Sequence, residues 1–336
     1  MKLNIKNLIN LVITIIVVQT FFACNDEWKD EQYDKYVSFV RSGYTETYLN
    51  TNTSDGVVHY KIPVEVSGST VNDRNVTVEI ALDTDTLDAH NKTVFFTRKD
   101  LYFLPLDKKY YDFPNGTTVV IPAGKDVGYL KIDFRIGDLD LVEKYILPLK
   151  IASTSEYIPS PKKHYKKTLM RIIPFNYFSG VYSAGAATIT AEGNSEPTSK
   201  ADREMRYVND STVFFYAGLC EEDARDRATY KLRARFNADH TITFTADNPG
   251  IEFTPVLEEI IKGQVIKRCV WTIKEEMDVL QPYLLIRTLT MDIKYSYLDI
   301  SNPQYKVKYT VNGYYTLERR RNIQIPEEDQ QEIFEW

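Results

Sequence analysis

Three cysteines, three tryptophans and four histidines in 336 residues leave little material for a metal centre or a disulfide framework. The histidines, His59, His90, His164 and His240, are scattered, and no C-x-x-C, H-E-x-x-H or G-x-S-x-G pattern occurs, so the common zinc and nucleophile-elbow chemistries are excluded. Glycine and proline number only 14 each, too few for a collagenous or low-complexity chain, and no repeat of solenoid or propeller period is visible. Basic residues are spread out and the formal charge is −6, which argues against a nucleic-acid partner. The longest apolar run, Leu8 to Val18, is too short to cross a hydrocarbon layer about 30 Å thick.

What the chain does have begins with that run. Lys2 and Lys6 precede it and Phe21-Phe22-Ala23-Cys24 follows, the order of a secretory signal with a small residue before the cleavage point. The segment resembles a bacterial lipoprotein signal: residues 1–23 are removed and the Cys24 thiol is acylated, with Phe21 standing where leucine is commoner. The acidic stretch Asn25-Asp26-Glu27-Trp28-Lys29-Asp30-Glu31 is similar to the sorting signal of surface-exposed Bacteroidetes lipoproteins, which implies an outer-membrane protein, lipid-anchored and facing the cell exterior. Residues 24–35 then form an acidic tether.

From Tyr36 the chain alternates as half-buried strands do. Tyr60, Ile62, Val64 and Val66 share one face, as do Val76, Val78, Ile80 and Leu82. Leu130, Ile132, Phe134 and Ile136 form a third row and Tyr145, Leu147, Leu149 and Ile151 a fourth. With Asn115-Gly116 and Ala123-Gly124 as turns and Pro174 as a break, residues 36–174 predict an antiparallel β-sandwich of immunoglobulin type. No helical period competes.

The order Val76 to Asp83, Asn91, Leu104-Pro105, Tyr110-Tyr111, Val120 to Gly124 and Tyr145-Ile146-Leu147-Pro148-Leu149 resembles the N-terminal domain of a large Bacteroidetes lipoprotein family. That domain was long catalogued as of unknown function, and its genes are often found near starch-utilisation-type outer-membrane transporters. The resemblance implies an immunoglobulin-like spacer and a polysaccharide-utilisation setting, and is nearly silent on ligand.

Residues 175–321 read as a second antiparallel unit of about eight strands, either an up-and-down barrel or another sandwich, so the fold class is all-β. Tyr230 to Phe236, the turn Asn237-Ala238-Asp239-His240 and Thr241 to Ala246 have hairpin period. The opening Gly180-Val181-Tyr182 and the closing Asn312-Gly313-Tyr314-Tyr315 are similar to the C-terminal domain of the same lipoproteins, which implies a calycin-like, lipocalin-like barrel. Residues 322–336 form an acidic tail, a frayed end or one helical turn from Pro326 docked by Ile333, Phe334 and Trp336. Cys220 and Cys269 either pair as a disulfide or lie buried and free in neighbouring strands.

Candidate chemistry is sparse. Asp83-Thr84-Asp85-Thr86-Leu87-Asp88 concentrates three carboxylates but lacks the glycine and closing glutamate of a calcium loop, and reads as a solvated loop. Within it Asp85-Thr86-Leu87 looks like a short Bacteroidetes O-glycosylation motif in an exposed loop. The N-x-S/T triplets starting at Asn52, Asn75, Asn91, Asn115 and Asn209 are chance matches in a bacterial lipoprotein. No carboxylate pair declares itself as a glycosidase site, which favours a non-catalytic protein without a cofactor. Glycan binding asks for aromatic platforms with polar rims. Trp271 is the one tryptophan outside the termini, but it shares a strand face with Cys269 and Ile273, which favours a core role over a platform. Tyr283, Tyr297 and Tyr305 are loop-like alternatives, with Tyr102, Tyr110 and Tyr111 in the first domain, and packing against their own sheets is the commoner role for each. The expectation is a surface lipoprotein that binds a polysaccharide or oligosaccharide through its second domain for a neighbouring outer-membrane transporter complex. The alternative is a structural or adhesive protein, a pilus-type subunit or spacer.

Overall fold

The computed structural model describes residues 30–325. The lipidation cysteine Cys24, the signal segment, Trp28 and the tail with Trp336 lie outside the described residues. The chain is nearly all β and forms two domains. The sandwich expected of the first is present. One sheet orders the strands Ile158–Pro159, Tyr36–Phe39, Val58–Val66, Val127–Phe134 and Tyr111–Asp112. The other orders Gly43–Asn50, Lys167–Phe175, Tyr145–Thr154, Val76–Leu82 and Thr118–Ile121. Pairing is antiparallel except where Tyr36–Phe39 meets Ile158–Pro159 and where Gly43–Asn50 runs parallel to Lys167–Phe175. The chain therefore changes sheets at Gly43, whose φ of 73° favours glycine.

The alternating rows face inward as read, with Val64, Val78, Ile132, Phe134 and Leu149 buried between the sheets. Leu82 departs from its row and is half exposed. The strand Tyr145–Thr154 is buried on both faces, because a helix, Thr84–Phe95, covers its outer side. Leu87, Phe103, Ile146 and Leu169 make a small second core there. Asn91 is buried, donating from Nδ2 to the Phe103 carbonyl at 2.9 Å and accepting from the Phe103 amide at 2.9 Å.

This helix corrects the loop reading of residues 83–88. Only Leu87 and Asn91 of its twelve residues turn inward, so no apolar stripe announced it. Asp83 is not solvated but buried, and its carboxylate accepts from Thr86 Oγ1 at 2.6 Å and pairs with Lys167 at 2.9 Å and Lys150 at 3.7 Å. With Thr86 so engaged and Leu87 buried, the Asp85-Thr86-Leu87 motif does not occupy an exposed loop. The end of the expected tether is also tied down. Glu31 accepts from the amides and hydroxyls of Ser69 and Thr70 at 2.7 to 3.1 Å and pairs with Lys35.

In the second domain one sheet runs Ile242–Ala246, Lys231–Phe236, Thr212–Tyr216, Asp202–Asn209, Gly180–Ser183, Val307–Asn322 and Leu284–Asp299. Trp271–Met277 adds to Leu284–Asp299 and Thr188–Ala191 to Val307–Asn322. The sheet curls until its first strand meets the last: the Ile242 amide donates to the Cys269 carbonyl at 2.7 Å and the Trp271 amide to the His240 carbonyl at 2.9 Å. Tyr182, Phe215, Tyr295, Tyr297 and Tyr315 fill the enclosed space. Gly313 is required where residues 186–187 cross this wall, since a Cβ would fall on the Ala186 carbonyl and the Ala187 Cα. The expected strand from Val265 to Ile273 is broken at Cys269, whose φ is 55°, into the hairpin strand Gln264–Lys267 and the wall strand Trp271–Met277.

Asp83 yields a pH-dependent prediction. Burial pushes its carboxyl up, but Thr86, Lys167 and Lys150 outweigh this and hold it below its usual value of 3.8. A depressed carboxyl adds stability above the unfolded value and loses it as pH falls through the folded one. Asp83→Asn, which keeps the side chain's shape but removes its charge, should cost about 1–3 kcal/mol at pH 7. In urea unfolding that deficit should shrink steadily below about pH 4.

Candidate functional site

The strand Thr212–Tyr216 is buried on both faces. Val213 and Phe215 enter the core of the second domain, whereas Phe214 and Tyr216, with Tyr207, belong to the core of the first. Cations of the second domain then cap the first-domain chain between residues 139 and 144. Arg206 Nη1 donates to the Leu141 carbonyl at 2.8 Å, and Arg227 donates to the carbonyls of Val142 and Asp100 at 3.4 and 3.1 Å. Lys231 pairs with Asp140 at 2.9 Å and lies 4.5 Å from the centre of the Phe214 ring. The linker is equally fixed. Asn176 Oδ1 accepts from the amides of Phe178 and Ser179 at 2.8 and 2.7 Å, while its Nδ2 donates to the Asn209 carbonyl at 2.6 Å.

Recesses open along this seam, and three of them adjoin through Phe175, Val181 and Glu204. The central one, about 270 Å³, is lined by Tyr48, Leu141, Phe175, Val181 and Met205 together with Glu46, Glu143, Glu204, Lys144, Arg171 and Arg206. Its first-domain wall comes from the edge strand Gly43–Asn50, on which Tyr44, Glu46, Tyr48 and Asn50 alternate outward. Parallel pairing sets Glu46 opposite Arg171, and the two form an ion pair. The Tyr48 hydroxyl donates to Glu46 at 2.8 Å. A second recess, about 360 Å³, shares Val181 and Glu204 with the first and adds Lys200, Arg203 and Glu222. The third, about 110 Å³, shares Phe175 and is lined by Asn50, Asn52, Asn176, Tyr177, Arg287, Arg319 and Arg321. A mostly polar groove with aromatic and aliphatic patches thus follows the boundary between the domains.

The electrostatics of the central recess are those of a cross-brace. Arg206 Nη2 meets Glu204 at 3.0 Å and also Glu222, so one guanidinium stands between two carboxylates. Burial pushes Glu222 above the usual carboxylate range. Burial acts the same way on Glu204, but Arg206, Arg171 and Lys144 outweigh it and hold that group low. Lys144 is lowered by burial and by the charges of Arg206 and Arg171. Two carboxyls pushed apart in this way are the signature of an acid and base pair. A glycosidase, however, needs a sugar ring between its carboxyls, and here the space is filled by Arg206, itself tied to Leu141. Among the described residues no group of three or more His, Cys, Asp or Glu is placed to hold a metal ion.

The residues singled out from the sequence are not brought together. Trp271 packs edge-on against Phe178 and Phe236 and donates from Nε1 to the Asn237 carbonyl at 3.1 Å, so it is a wall residue and not a platform. Tyr297 is 2 % exposed inside the barrel, and its hydroxyl accepts from the Leu219 amide at 3.2 Å. Tyr283 and Tyr305 are exposed and line none of the three recesses. Tyr110 and Tyr111 are buried in the first domain. Cys220 and Cys269 are free thiols, not a disulfide, and they do not lie in neighbouring strands. Cys269 Sγ faces the Val256 carbonyl, and burial followed by the Asp226 charge pushes the Cys220 thiol up to about 12, which makes it inert.

Comparison with known proteins follows this geometry. A family model described as a domain of unknown function, DUF4973, matches residues 28–155, and a second, described as "-like, C-terminal", matches residues 166–316. A protein of unknown function from Bacteroides ovatus is 34 % identical, with 90 % of this chain and 100 % of that one aligned and a TM-score of 0.77. A multidomain protein including DUF1735, also from Bacteroides ovatus, is 32 % identical over 90 % of this chain and 100 % of that one, with a TM-score of 0.76. An auxiliary nutrient binding protein from Bacteroides thetaiotaomicron is 30 % identical over 88 % of this chain and 96 % of its own, with a TM-score of 0.75. No curated protein matches.

Removing the brace should be costly. Arg206→Met leaves two carboxylates facing each other and the Leu141 carbonyl without its donor, and should destabilise the chain by about 3–5 kcal/mol in urea unfolding. Adding Glu222→Gln should recover part of that loss, because the remaining repulsion disappears.

Proposed function

Because the chain belongs to the family of two-domain Bacteroides proteins that these solved structures represent, we propose that it is a non-catalytic binding protein for a polysaccharide or oligosaccharide. It is held at the exterior of the outer membrane by lipid on Cys24, and it presents its ligand to a neighbouring outer-membrane transporter. The observation that carries this reading is the groove itself. Both domains contribute to it, its backbone is braced before any ligand arrives, and it alternates carboxylates and guanidiniums with Tyr48, Phe175 and Tyr177. Sugar hydroxyls donate to the first and accept from the second, while the apolar faces of the rings rest on aromatic side chains. The nutrient-binding relative, aligned over both domains, supports the same reading.

The first domain is then more than a spacer, since Glu46, Tyr48 and Arg171 are part of the wall of the central recess. An assembly subunit that exchanges its last strand is not favoured. Val307–Asn322 pairs with Leu284–Asp299 along all sixteen residues and sits in the middle of its sheet.

The test is retention of the mature protein, residues 24–336, on affinity gels of plant, host and microbial polysaccharides. Tyr48→Ala should weaken binding at least about tenfold, roughly 1.4 kcal/mol, and Tyr305→Ala should leave it unchanged. A folded protein that passes every gel without delay would end the binding reading. The anchor is checked separately: Cys24→Ser should abolish incorporation of labelled palmitate and move the protein from the membrane to the soluble fraction.

A further inference from the structure

Five of the six charged residues that line the central recess are already paired. Glu46 meets Arg171, Glu204 meets Arg206, and Glu143 reaches Arg227 just outside the lining. Lys144 is the exception. Half-buried at the recess, its ammonium makes no hydrogen bond or ion pair with any described residue. Its main chain is fixed, since the Lys144 carbonyl accepts from the Leu104 amide at 2.9 Å and Tyr145 opens the next strand. Chain geometry therefore delivers the lysine to the recess, without a partner for its charge.

The folded chain gains nothing from a cation at this place. Burial and the guanidiniums of Arg206 and Arg171 disfavour the ammonium, and they outweigh the attraction of Glu222 and Glu204. A methionine of similar length would fill the space without that cost. Three N–H donors thus stand unspent at the recess.

Glu143, the residue before it, supplies the complement. Its Oε2 lies 3.5 Å from Arg227, and its Oε1 accepts no hydrogen bond from a described residue. Open donors and an open acceptor therefore sit on adjacent residues of one wall. A sugar hydroxyl is donor and acceptor at once, so neighbouring hydroxyls can accept from Nζ and donate to the carboxylate. Charge argues for a neutral ligand. The recess carries three carboxylates and three cations, and both of its guanidiniums are committed to ion pairs. A carboxylate or sulfate on the ligand would meet Glu46, Glu143 and Glu204 with no spare guanidinium to offset them, whereas an uncharged sugar meets no such repulsion.

We propose that Lys144 is the ligand-recognising donor of the central recess, and that the ligand is a neutral glycan whose hydroxyls bridge Lys144 and Glu143. The inference rests on the glycan-binding reading above and narrows it to uncharged polymers. The lysine is kept for the ligand, against its own effect on folding.

The test sets the mature protein, residues 24–336, on gels of neutral polymers (a glucan, a mannan and an arabinoxylan) and of acidic ones (a polyuronate and a sulfated galactan). Each gel is run at about 50 and about 500 mM NaCl. Retention should come from a neutral polymer and should not change with salt. Lys144→Met should weaken it at least about tenfold, and Lys144→Gln, which keeps a donor without the charge, should weaken it less. The melting temperature of Lys144→Met should hold or rise. A Lys144→Met protein that melts well below wild type would make the lysine structural and overturn the assignment, as would unchanged retention. Retention confined to acidic polymers, or lost at high salt, overturns the neutral ligand while leaving the binding function intact. Retention of no polymer of either kind overturns the binding function itself, and the recognition role of Lys144 falls with it.

Discussion

The two-sided burial of Thr212–Tyr216 is the constraint on which the rest of the molecule depends. A strand in a curled sheet ordinarily shows one face to water, but Phe214 and Tyr216 turn outward into the core of the sandwich. Burying two aromatic side chains this way is worth several kcal/mol at roughly 25 cal/mol per Å² of apolar surface. It also drags the neighbouring charges out of water. Arg206, Arg227 and Lys231 each pay a desolvation cost, and each is offset by a carbonyl or carboxylate from residues 100 and 139–144 of the first domain. The outcome is a seam that cannot slide without stranding a buried cation.

That rigidity decides what kind of site the groove is. The ion pairs of its central recess serve the brace first, and their donors and acceptors face a ligand only because the seam is open at its edge. Arg206 between Glu204 and Glu222 makes the point: the same geometry that splits the two carboxyls in pKa also fills the space a reacting sugar would need. Binding needs groups held in place, whereas hydrolysis needs two of them free to exchange a proton with the substrate. The carboxyls of Glu204 and Glu222 are of the first kind, both held by Arg206.

The fold was legible where one face of a strand is wet. Val58–Val66 and Val127–Phe134 alternate because their outer faces meet solvent, and they were read correctly as strands. Thr84–Phe95 was missed because a helix that buries only Leu87 and Asn91 leaves no period to detect, and its acidic start looks like a loop. The site was barely legible. Residue type names the aromatic candidates and periodicity favours a core role for Trp271; Tyr297 and Trp271 are indeed consumed by the barrel, while the groove is made from residues of ordinary appearance spread from Glu46 to Arg321. One signal was present. Arg319 and Arg321 continue the inward row of Tyr315 and Leu317. A cation at a position where alternation demands an apolar side chain is expensive, and such positions marked the seam better than any tyrosine did.

The location of the groove follows from chain connectivity. Lys167–Phe175 is the last strand of the sandwich, and its parallel neighbour Gly43–Asn50 is the edge of the same sheet. Because the linker Asn176 to Ser179 leaves directly from Phe175, the second domain must begin beside that edge. The outward residues of Gly43–Asn50 and the inward row ending in Arg321 therefore meet in any chain built on this plan. Neither set belongs to a core: Tyr44, Glu46, Tyr48 and Asn50 stand on the open face of an edge strand, and Arg319 and Arg321 lie beyond the last apolar pair of the barrel. The outward positions of the edge strand can therefore be substituted without opening a core. Relatives sharing this two-domain plan at about 30 % identity can thus keep one scaffold while varying the residues along its seam.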